Sequence, residues 1–327
     1  MKNGHFVISL DFELHWGLFD LMTVDQYEEN LKNVGKVIDG LLELSSQYDV
    51  KLTFATVGFL FARNKDEIMK FAPQQKPTYT KKILNPYPLL KTVGNNENED
   101  PYHFGYTVLD KIKQNGVHEI GTHTYCHYYC NEAGQTTEQF RDDITAAINI
   151  GDHFGTPIKS IVFPRNMVNK DALNVCAEQG ITSYRGTENA YIYRIDPKKT
   201  YYDWLAVRGS RMLDSYINIT GNNIYDLSKL KDDQTIVNLP SSRFLRPYNS
   251  KLSMFESLKI RRITKGMTKA AKQNKLYHLW WHPHNFGTHY EKNFENLEKI
   301  FKTYKELNRT YGFTSSTMTS LANTLLS

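Results

Sequence analysis

Potential metal ligands are concentrated in one short stretch, HEIGTHTYCHYYC, residues 118–130. It contains two histidines four positions apart, His123 and His127, and two cysteines, Cys126 and Cys130. Imidazoles and thiolates are the usual protein ligands of zinc and related ions. If all four side chains bound an ion, the site would be closed and structural. If only the histidines did, coordination positions would remain for water and substrate.

Two carboxylates near the start of the chain favour the second alternative. In SLDFEL (9–14), Asp11 and Glu13 are two positions apart, so on an extended strand both side chains point the same way. Two imidazoles and one carboxylate commonly hold the metal of a hydrolytic site. If the chain is helical just after the strand, His123 and His127 lie on one face and share the ion. A cysteine site would leave the carboxylate pair unexplained.

Predicted strands and helices alternate along the chain, which indicates a mainly parallel sheet. The predicted strands are 5–11, 51–58, 117–124, 159–164, 181–185, 235–240 and 275–283, and the predicted helices are 24–48, 105–115, 137–153, 171–180, 253–273 and 291–309. Polar side chains lie at the carboxyl ends of four of these strands: Asp11 with Glu13, His123 with His127, Arg165, and His282. The carboxyl ends of parallel strands share one edge, where α/β proteins place their sites.

The whole chain, residues 1–327, is predicted to form a single domain with one irregular insertion around 62–104. That segment carries prolines at 73, 77, 86, 88 and 101 and shows no periodic pattern. We find no internal repeat.

The composition is that of a globular protein, with 40% hydrophobic and 23% charged residues and a net charge of +5. Nothing points to nucleic acid. The basic run IRRITKGMTKAAKQNK (260–275) is either a solvated helix face or a surface for an anionic partner such as a membrane. Three cysteines make no disulfide framework, and no signal peptide or integral membrane segment is recognisable. A cytoplasmic location is therefore expected.

Four short motifs resemble those of one enzyme family. GTHTYCH (121–127) resembles the second motif of the polysaccharide deacetylases, also called carbohydrate esterase family 4 or the NodB-homology fold. SLDFELHWG (9–17) is similar to the first motif, FPRN (163–166) to the arginine-bearing third, and LWWH (279–282) to the Leu-x-x-His motif. The matches follow the family's order and span nearly the whole chain.

The resemblance implies a distorted TIM-like (β/α)7 barrel and a metal-dependent hydrolase. Its substrate would be an N-acylated sugar, with an N-acetyl group removed from an amino sugar of a poly- or oligosaccharide such as a surface-glycan precursor. The implied roles are metal ligands for Glu13, His123 and His127, general base for Asp11, orientation of Asp11 for Arg165, and general acid for His282. The metal would be Zn²⁺ first, with Co²⁺, Ni²⁺ or Fe²⁺ as alternatives.

This sequence departs from the family pattern in two places. The first motif usually has two adjacent acids, whereas here Phe12 separates Asp11 from Glu13, so the roles of base and ligand are exchangeable. The fourth motif, an aspartate and a tryptophan, has no clear match, and the candidates are Asp203, Trp204 and Asp214.

Other side chains are candidates for binding the substrate or for the acid. By strand alternation one of Trp280 and Trp281 faces the site, and Trp281 is our candidate for stacking on a sugar. Arg243 and Arg246, after another strand, would meet a phosphate or uronic acid. His284 is the alternative to His282 as acid, and His118 is expected to be structural.

Three other functions remain to be distinguished. The first is a deformylase or another amide or imide hydrolase on the same scaffold, which differs only in pocket shape. The second is a non-haem iron oxygenase, whose metal is also held by two histidines and a carboxylate. The third is a non-catalytic carbohydrate-binding relative, which would be expected to lack the base or the metal ligands.

Overall fold

A ten-stranded sheet forms the centre of the computed structural model, which describes residues 3–193, 201–230 and 236–327. The strands are β1 (His5–Phe12), β2 (Thr53–Thr56), β3 (Glu119–Thr122), β4 (Ser160–Ile161), β5 (Ser183–Tyr184), β6 (Tyr225–Asp226), β7 (Val237–Asn238), β8 (Arg243–Phe244), β9 (Lys275–Trp281) and β10 (Thr314–Ser316). The order is β6-β9-β1-β2-β3-β4-β5-β7, while β10 pairs with β1 and β8 with β9. All pairs are parallel except β6 with β9.

The segment from β7 to β8 joins the two edges of this sheet. The amide of Leu239 donates to the carbonyl of Tyr184 beside β5 (2.9 Å), and three residues later Ser242 donates to His278 on β9 (2.7 Å). One extended segment therefore serves as a single strand that pairs with both sides. With β7 and β8 counted as one strand, that strand, β1 to β5 and β9 make the seven strands of a distorted barrel, to which the short β6 and β10 are added. This confirms the predicted fold class.

Helices follow most of the strands and cover the outside of the barrel. Their bounds are α1 (Val24–Lys32), α2 (Val34–Tyr48), α3 (Lys65–Phe71), α4 (Tyr106–Asn115), α5 (Thr137–Phe154), α6 (Lys170–Glu178), α7 (Tyr201–Tyr216), α8 (Glu256–Lys272), α9 (Tyr290–Tyr311) and α10 (Met318–Leu326). The helix predicted over 24–48 is divided at Asn33, whose side-chain amide donates to the carbonyls of Glu29 and Gly287 (both 3.0 Å). These bonds tie the break to the turn after β9.

Strand alternation divides the apolar residues between two cores. Phe6, Ile8 and Leu10 of β1 point outward into the main core beneath the helices. Val7 points inward and belongs to a second core that includes Met318 and other residues of α10. Since β10 pairs with the start of β1, α10 closes the amino end of the barrel. The carboxyl end is left for the site.

The predicted insertion, 62–104, contains α3 and two short 3₁₀ turns, 82–84 and 87–91. It packs on the loop after β3, where the buried Tyr79 hydroxyl accepts a hydrogen bond from the amide of Tyr129 (2.8 Å). Among the described residues, no helix combines the length and the apolar character needed to cross a bilayer.

Candidate active site

The end of β1 positions both predicted carboxylates. Asp11 and Glu13 are only 3% and 4% exposed, and Leu10 and Phe12 pack away from them in the main core, as predicted. The turn after the strand lies directly against Glu13, because a Cβ added at Gly17 would be 2.0 Å from the carboxyl carbon of Glu13. A side chain at Gly17 would displace that carboxylate.

Glu13 lies between the two predicted histidine ligands. Its Oε2 is 3.2 Å from Nε2 of His123 and 3.3 Å from Nε2 of His127. These three side chains can offer ligand atoms that all lie within 4.8 Å of one another. No other group of three or more histidines, cysteines and acids in the described ranges meets that distance. The predicted carboxylate-and-two-imidazole set thus comes together in the structure.

The opposite nitrogens of the two rings are held from behind. Nδ1 of His123 is 2.8 Å from the carbonyl oxygen of Val162, which can only accept, so Nδ1 carries the hydrogen. Nδ1 of His127 is 3.0 Å from the hydroxyl of Tyr129. In the neutral His123 ring the lone pair is therefore on Nε2, directed at Glu13. Such outer bonds fix the orientation and tautomer of metal-ligating histidines.

The electrostatics of Glu13 and His127 favour the protonation states that bind a metal. Burial by itself would raise the pKa of Glu13, but His282, His123 and His127 outweigh it and hold that pKa well below its usual value. Burial lowers the pKa of His127, with smaller contributions from His123 and Arg165, against the raising effect of Glu13. A carboxylate and neutral imidazoles are the forms that coordinate metal ions.

The segment that carries the histidines is a loop, so the expected helical turn is wrong. Thr124 and His127 both have positive φ, 65° and 59°. The buried carboxylate of Asp143 accepts from the amides of Tyr125 (2.7 Å) and Cys126 (3.2 Å) and holds the loop from beneath. Burial raises the pKa of Asp143 to about 6. The ring centroids of the two histidines are nevertheless 5.0 Å apart.

The alternative of a structural zinc site with cysteine ligands is excluded by the positions of the thiols. Cys126 is buried outside the cluster, and burial raises its pKa well above the usual range. The sulfur of Cys130 donates to the carbonyl of Met167 (3.0 Å). Both are ordinary core thiols.

Arg185 is the arginine that pairs with Asp11. Its two Nη atoms lie 2.6 and 2.8 Å from the two oxygens of that carboxylate, and Nη1 also reaches Ser9 Oγ (3.0 Å). Burial alone would raise the pKa of Asp11, but the charges of Arg185, His123 and His282 outweigh it, so the pKa is lowered. Asp11 is therefore ionised at neutral pH.

The predicted contact between Arg165 and Asp11 is wrong. Arg165 has a positive φ of 55°, and its guanidinium pairs with Asp20 and lies 4.4 Å above the ring of Tyr129. Arg185 was missed because the resemblance of FPRN to the family's third motif assigned the pairing with Asp11 to Arg165. The available signal was its position at the carboxyl end of the predicted strand 181–185, the same rule that selected the other site residues.

His282 follows β9 and faces both carboxylates. Its Nε2 is 3.7 Å from Asp11 Oδ2 and 3.5 Å from Glu13 Oε1, and its side chain is 24% exposed. The ring of His284 stacks on it with a centroid distance of 5.1 Å. His284 is buried, which lowers its pKa to about 3 and keeps it neutral. Of the two, His282 is the one that reaches both Asp11 and Glu13.

Trp281 does not face the site, which corrects its predicted role. It is fully buried and stacks on Phe286 with a centroid distance of 5.6 Å. The register pairs Ser9 with Trp280, so Trp280 shares the inward face with Asp11. Trp280 lies 4.0 Å from the guanidinium of Arg185, and its ring centroid is 5.7 Å from that of His282.

Arg243 is likewise not available to a substrate. It is 3% exposed and forms an ion pair with Asp214, whose other oxygen is 2.7 Å from Nη2 of Arg262. Arg246 is half-buried, and its Nε donates to Ser215 Oγ (2.7 Å), so its contact with substrate stays a prediction. Among the fourth-motif candidates, Asp214 belongs to this arginine cluster. The side chains of residues 203 and 204 lie outside the described part of the chain.

Comparison with protein families identifies the chain. The family model described as polysaccharide deacetylase matches residues 21–184, which is half of its length. The chain belongs to the polysaccharide deacetylase family. The matched segment contains His123, His127 and Arg165, whereas Arg185 follows directly after its end. No curated protein matches the chain significantly.

Solved structures share the fold of this chain at low sequence identity. A proposed polysaccharide deacetylase from Mycobacterium smegmatis has a TM-score of 0.62 at 15% identity, over 99% of this chain and 91% of that one. One from Pseudomonas aeruginosa PAO1 has a TM-score of 0.53 at 12% identity, over 98% and 89%. Puue allantoinase has a TM-score of 0.51 at 11% identity, over 98% and 88%. At these identities the likeness concerns the fold.

Proposed function

We propose that this protein is a metal-dependent hydrolase that removes an N-acetyl group from an amino sugar of a poly- or oligosaccharide, such as a surface-glycan precursor. The observation that carries the proposal is the position of the Glu13, His123 and His127 cluster beside two proton-transfer groups, the Asp11–Arg185 pair and His282. Membership in the polysaccharide deacetylase family supports the same reaction.

The three donors fit a divalent ion. One carboxylate oxygen and two imidazole nitrogens suit Zn²⁺, and Co²⁺, Ni²⁺ and Fe²⁺ accept the same ligands. A bound ion of this kind polarises an amide carbonyl and lowers the pKa of water. The protein supplies a negative ligand, Glu13, and imidazoles whose Nε2 atoms converge on it. This geometry supports Glu13 as the proposed ligand and Asp11 as the proposed base.

Asp11 would take the proton from the attacking water. Its pairing with Arg185 holds the carboxylate in one orientation and keeps it ionised, while each oxygen retains a further lone pair. The positive charge of Arg185 that orients Asp11 also lowers its pKa, which makes Asp11 a weaker base. Arg185 is thus a positioning residue that acts through Asp11.

His282 would deliver the proton that the departing amine requires. An amide nitrogen leaves as a free amine only when it is protonated, and an imidazolium suits this step near neutral pH. The side chain of His282 is partly open, whereas Asp11 and Glu13 are buried, so His282 is the group that a substrate reaches first. The neutral ring of His284 supports it without adding charge.

Trp280 replaces Trp281 as the proposed sugar-stacking residue. It is half-buried and lies between Arg185 and His282, so a sugar ring on its face would place an attached amide near both carboxylates. The cytoplasmic location remains part of this proposal. It rests on three cysteines that are all free and buried.

The decisive experiment is removal of metal by chelation, reloading with Zn²⁺, and measurement of acetate and formate released from N-acetylated and N-formylated amino sugars. Acetate release that requires metal supports the proposal, and formate release alone identifies a deformylase. Asp11→Asn should abolish release, whereas Asp39→Asn, on an exposed part of α2, should not. Absence of hydrolysis from the metal-loaded protein would identify a non-catalytic relative.

A further inference from the structure

One face of the molecule exposes an unusual amount of apolar side chain. We call it the α7–α8 surface, and its apolar members are Met212, Leu213, Ile217, Met254, Phe255 and Leu258. Met254 is 86% exposed, Ile217 59% and Leu213 56%. Single exposed apolar residues are normal, whereas a group of this size marks an interaction surface.

The members lie on α7 and the residue after it, on the 3₁₀ turn 250–255, and at the start of α8. The rings of Tyr216 and Phe255 are 6.3 Å apart, which brings the end of α7 against the turn that precedes α8. Beneath this contact, Asp214 of α7 is 2.7 Å from Nη2 of Arg262 on α8. The exposed apolar side chains therefore lie on neighbouring segments of the same face.

Every described exposed charge on these two segments is positive. The exposed cations of residues 205–219 and 250–272 are Arg208, Lys251, Arg261, Lys265, Lys269 and Lys272. Residues 205–219 and 250–272 contain two acidic residues, Asp214 and Glu256, and both are buried. Asp214 forms ion pairs with Arg243 and Arg262, and Glu256 forms one with Lys259. The outward charge of the α7–α8 surface is thus purely cationic.

We propose that the α7–α8 surface docks on an anionic phospholipid bilayer. Exposed large apolar side chains flanked by lysine and arginine are the composition of interfacial helices, whose apolar groups enter the headgroup boundary while their cations meet anionic lipid. The sequence alone allowed two interpretations of the basic run at 260–275, a solvated helix face or a surface for a membrane. This run begins shortly after Met254, the most exposed of the apolar residues. This inference is independent of the reaction proposed above.

The surface lies next to the site. The Nε atom of Arg246 donates to Ser215 Oγ on α7 (2.7 Å), which connects Arg246 to the α7–α8 surface. The guanidinium of the same residue lies 5.7 Å from the ring centroid of Phe244. The ring of Phe244 is in turn 5.9 Å from that of His282. A protein docked through the α7–α8 surface therefore holds the edge of its candidate active site close to the membrane.

The test is sedimentation of the full-length protein with vesicles of phosphatidylcholine alone or with about one-third phosphatidylserine. Binding to the anionic vesicles, reduced at about 0.5 M NaCl, is expected. The double variant Met254→Ser, Phe255→Ser should weaken it about ten-fold or more. Ile83→Ser is the matched control, since Ile83 is 65% exposed but lies in the insertion.

A second pair of changes tests the charges. Arg261→Gln with Lys265→Gln should weaken binding at low salt and reduce its salt dependence by about one-third, because two of the six exposed cations are removed. Equal binding to both kinds of vesicle, or binding to neither, would overturn the proposal. So would a concentration-dependent dimer that the double variant dissociates, because the occupant would then be a second copy. Thermal unfolding checks each variant, and hydrolysis of a soluble substrate should be unchanged in both.

Discussion

Arg185 and Asp11 form two parallel hydrogen bonds inside the barrel, with Nη1 to Oδ1 at 2.6 Å and Nη2 to Oδ2 at 2.8 Å. The two residues are 174 positions apart and come from β1 and the end of β5. Both side chains are almost fully buried, so each charge is shielded from water and is stabilised mainly by its partner. Removal of one partner therefore affects stability and ionisation together.

The first prediction concerns this pair. Arg185→Gln leaves Asp11 as a buried charge without its main partner, so we expect a loss of about 3–5 kcal/mol in the free energy of unfolding. Because Arg185 lowers the pKa of Asp11, its removal raises that pKa, and the acid limb of the pH–rate profile moves to higher pH. Urea unfolding and pH-dependent kcat measure the two effects.

Arg165→Gln is the matched control. The Arg165 side chain is 28% exposed, whereas that of Arg185 is fully buried, so a smaller loss of stability than in Arg185→Gln is expected. The acid limb should be unchanged, because Arg165 pairs with Asp20 and not with Asp11. Arg185→Lys keeps the charge without the two-pronged contact and should restore part of the activity. A shift of the acid limb in Arg165→Gln but not in Arg185→Gln would reverse the assignment.

The second prediction concerns metal binding, measured without any substrate. Zn²⁺ at about one hundred times its dissociation constant should raise the free energy of unfolding by about 2.7 kcal/mol. Glu13→Gln and His127→Gln should each remove most of the accompanying rise in Tm, since they delete donors of the cluster. Cys126→Ala should keep it. A rise that depends on Cys126 would restore the cysteine site.

The third prediction concerns the acid. His282→Gln should lower kcat about 10²- to 10⁴-fold with a smaller effect on KM, because the proton is needed in the transition state. Substrates whose amine leaves more easily should lose less. His289→Gln is the control, since His289 is exposed beyond β9 and its ring meets that of Tyr248 at 5.2 Å. Equal losses in all substrates would argue for a structural role.

The fourth prediction concerns stability against pH. Nδ1 of His118 accepts a hydrogen bond from the amide of Leu52 (3.2 Å), so the folded state requires this nitrogen unprotonated. Burial lowers the pKa of His118 from 6.5 to about 4. The unfolded chain binds the extra proton between these values, so stability is complete above pH 6.5 and declines as the pH falls toward 4.

We expect His118 to contribute about 2–3 kcal/mol to that decline, given its half-buried position. His118→Gln, which can still accept from Leu52, should flatten the dependence of the unfolding free energy on pH in this window. His153→Gln, at an exposed histidine of α5, should leave it unchanged. An identical slope in both variants would assign the decline to other groups.

Much of the site follows from local pattern. The alternation of side chains along β1 is a property of any extended strand, so the common direction of Asp11 and Glu13 could be predicted without neighbours. The carboxyl ends of parallel strands meet at one edge, which is why Glu13, His123, His127 and His282 could be grouped across the whole chain. The alternation of side chains along a strand and the position of a residue at its carboxyl end were sufficient to predict that these residues lie together.

Tertiary structure alone decided which of several similar side chains reaches that edge. Arg165 and Arg185 both follow a strand, but the positive φ of Arg165 turns its guanidinium toward Asp20, and only Arg185 points into the barrel. Trp280 and Trp281 differ by one position, and the pairing with Ser9 selects Trp280. Backbone turns and strand register are set by the packing of segments that are distant in sequence. The residues next to each arginine or tryptophan therefore do not indicate which of the two side chains reaches the site.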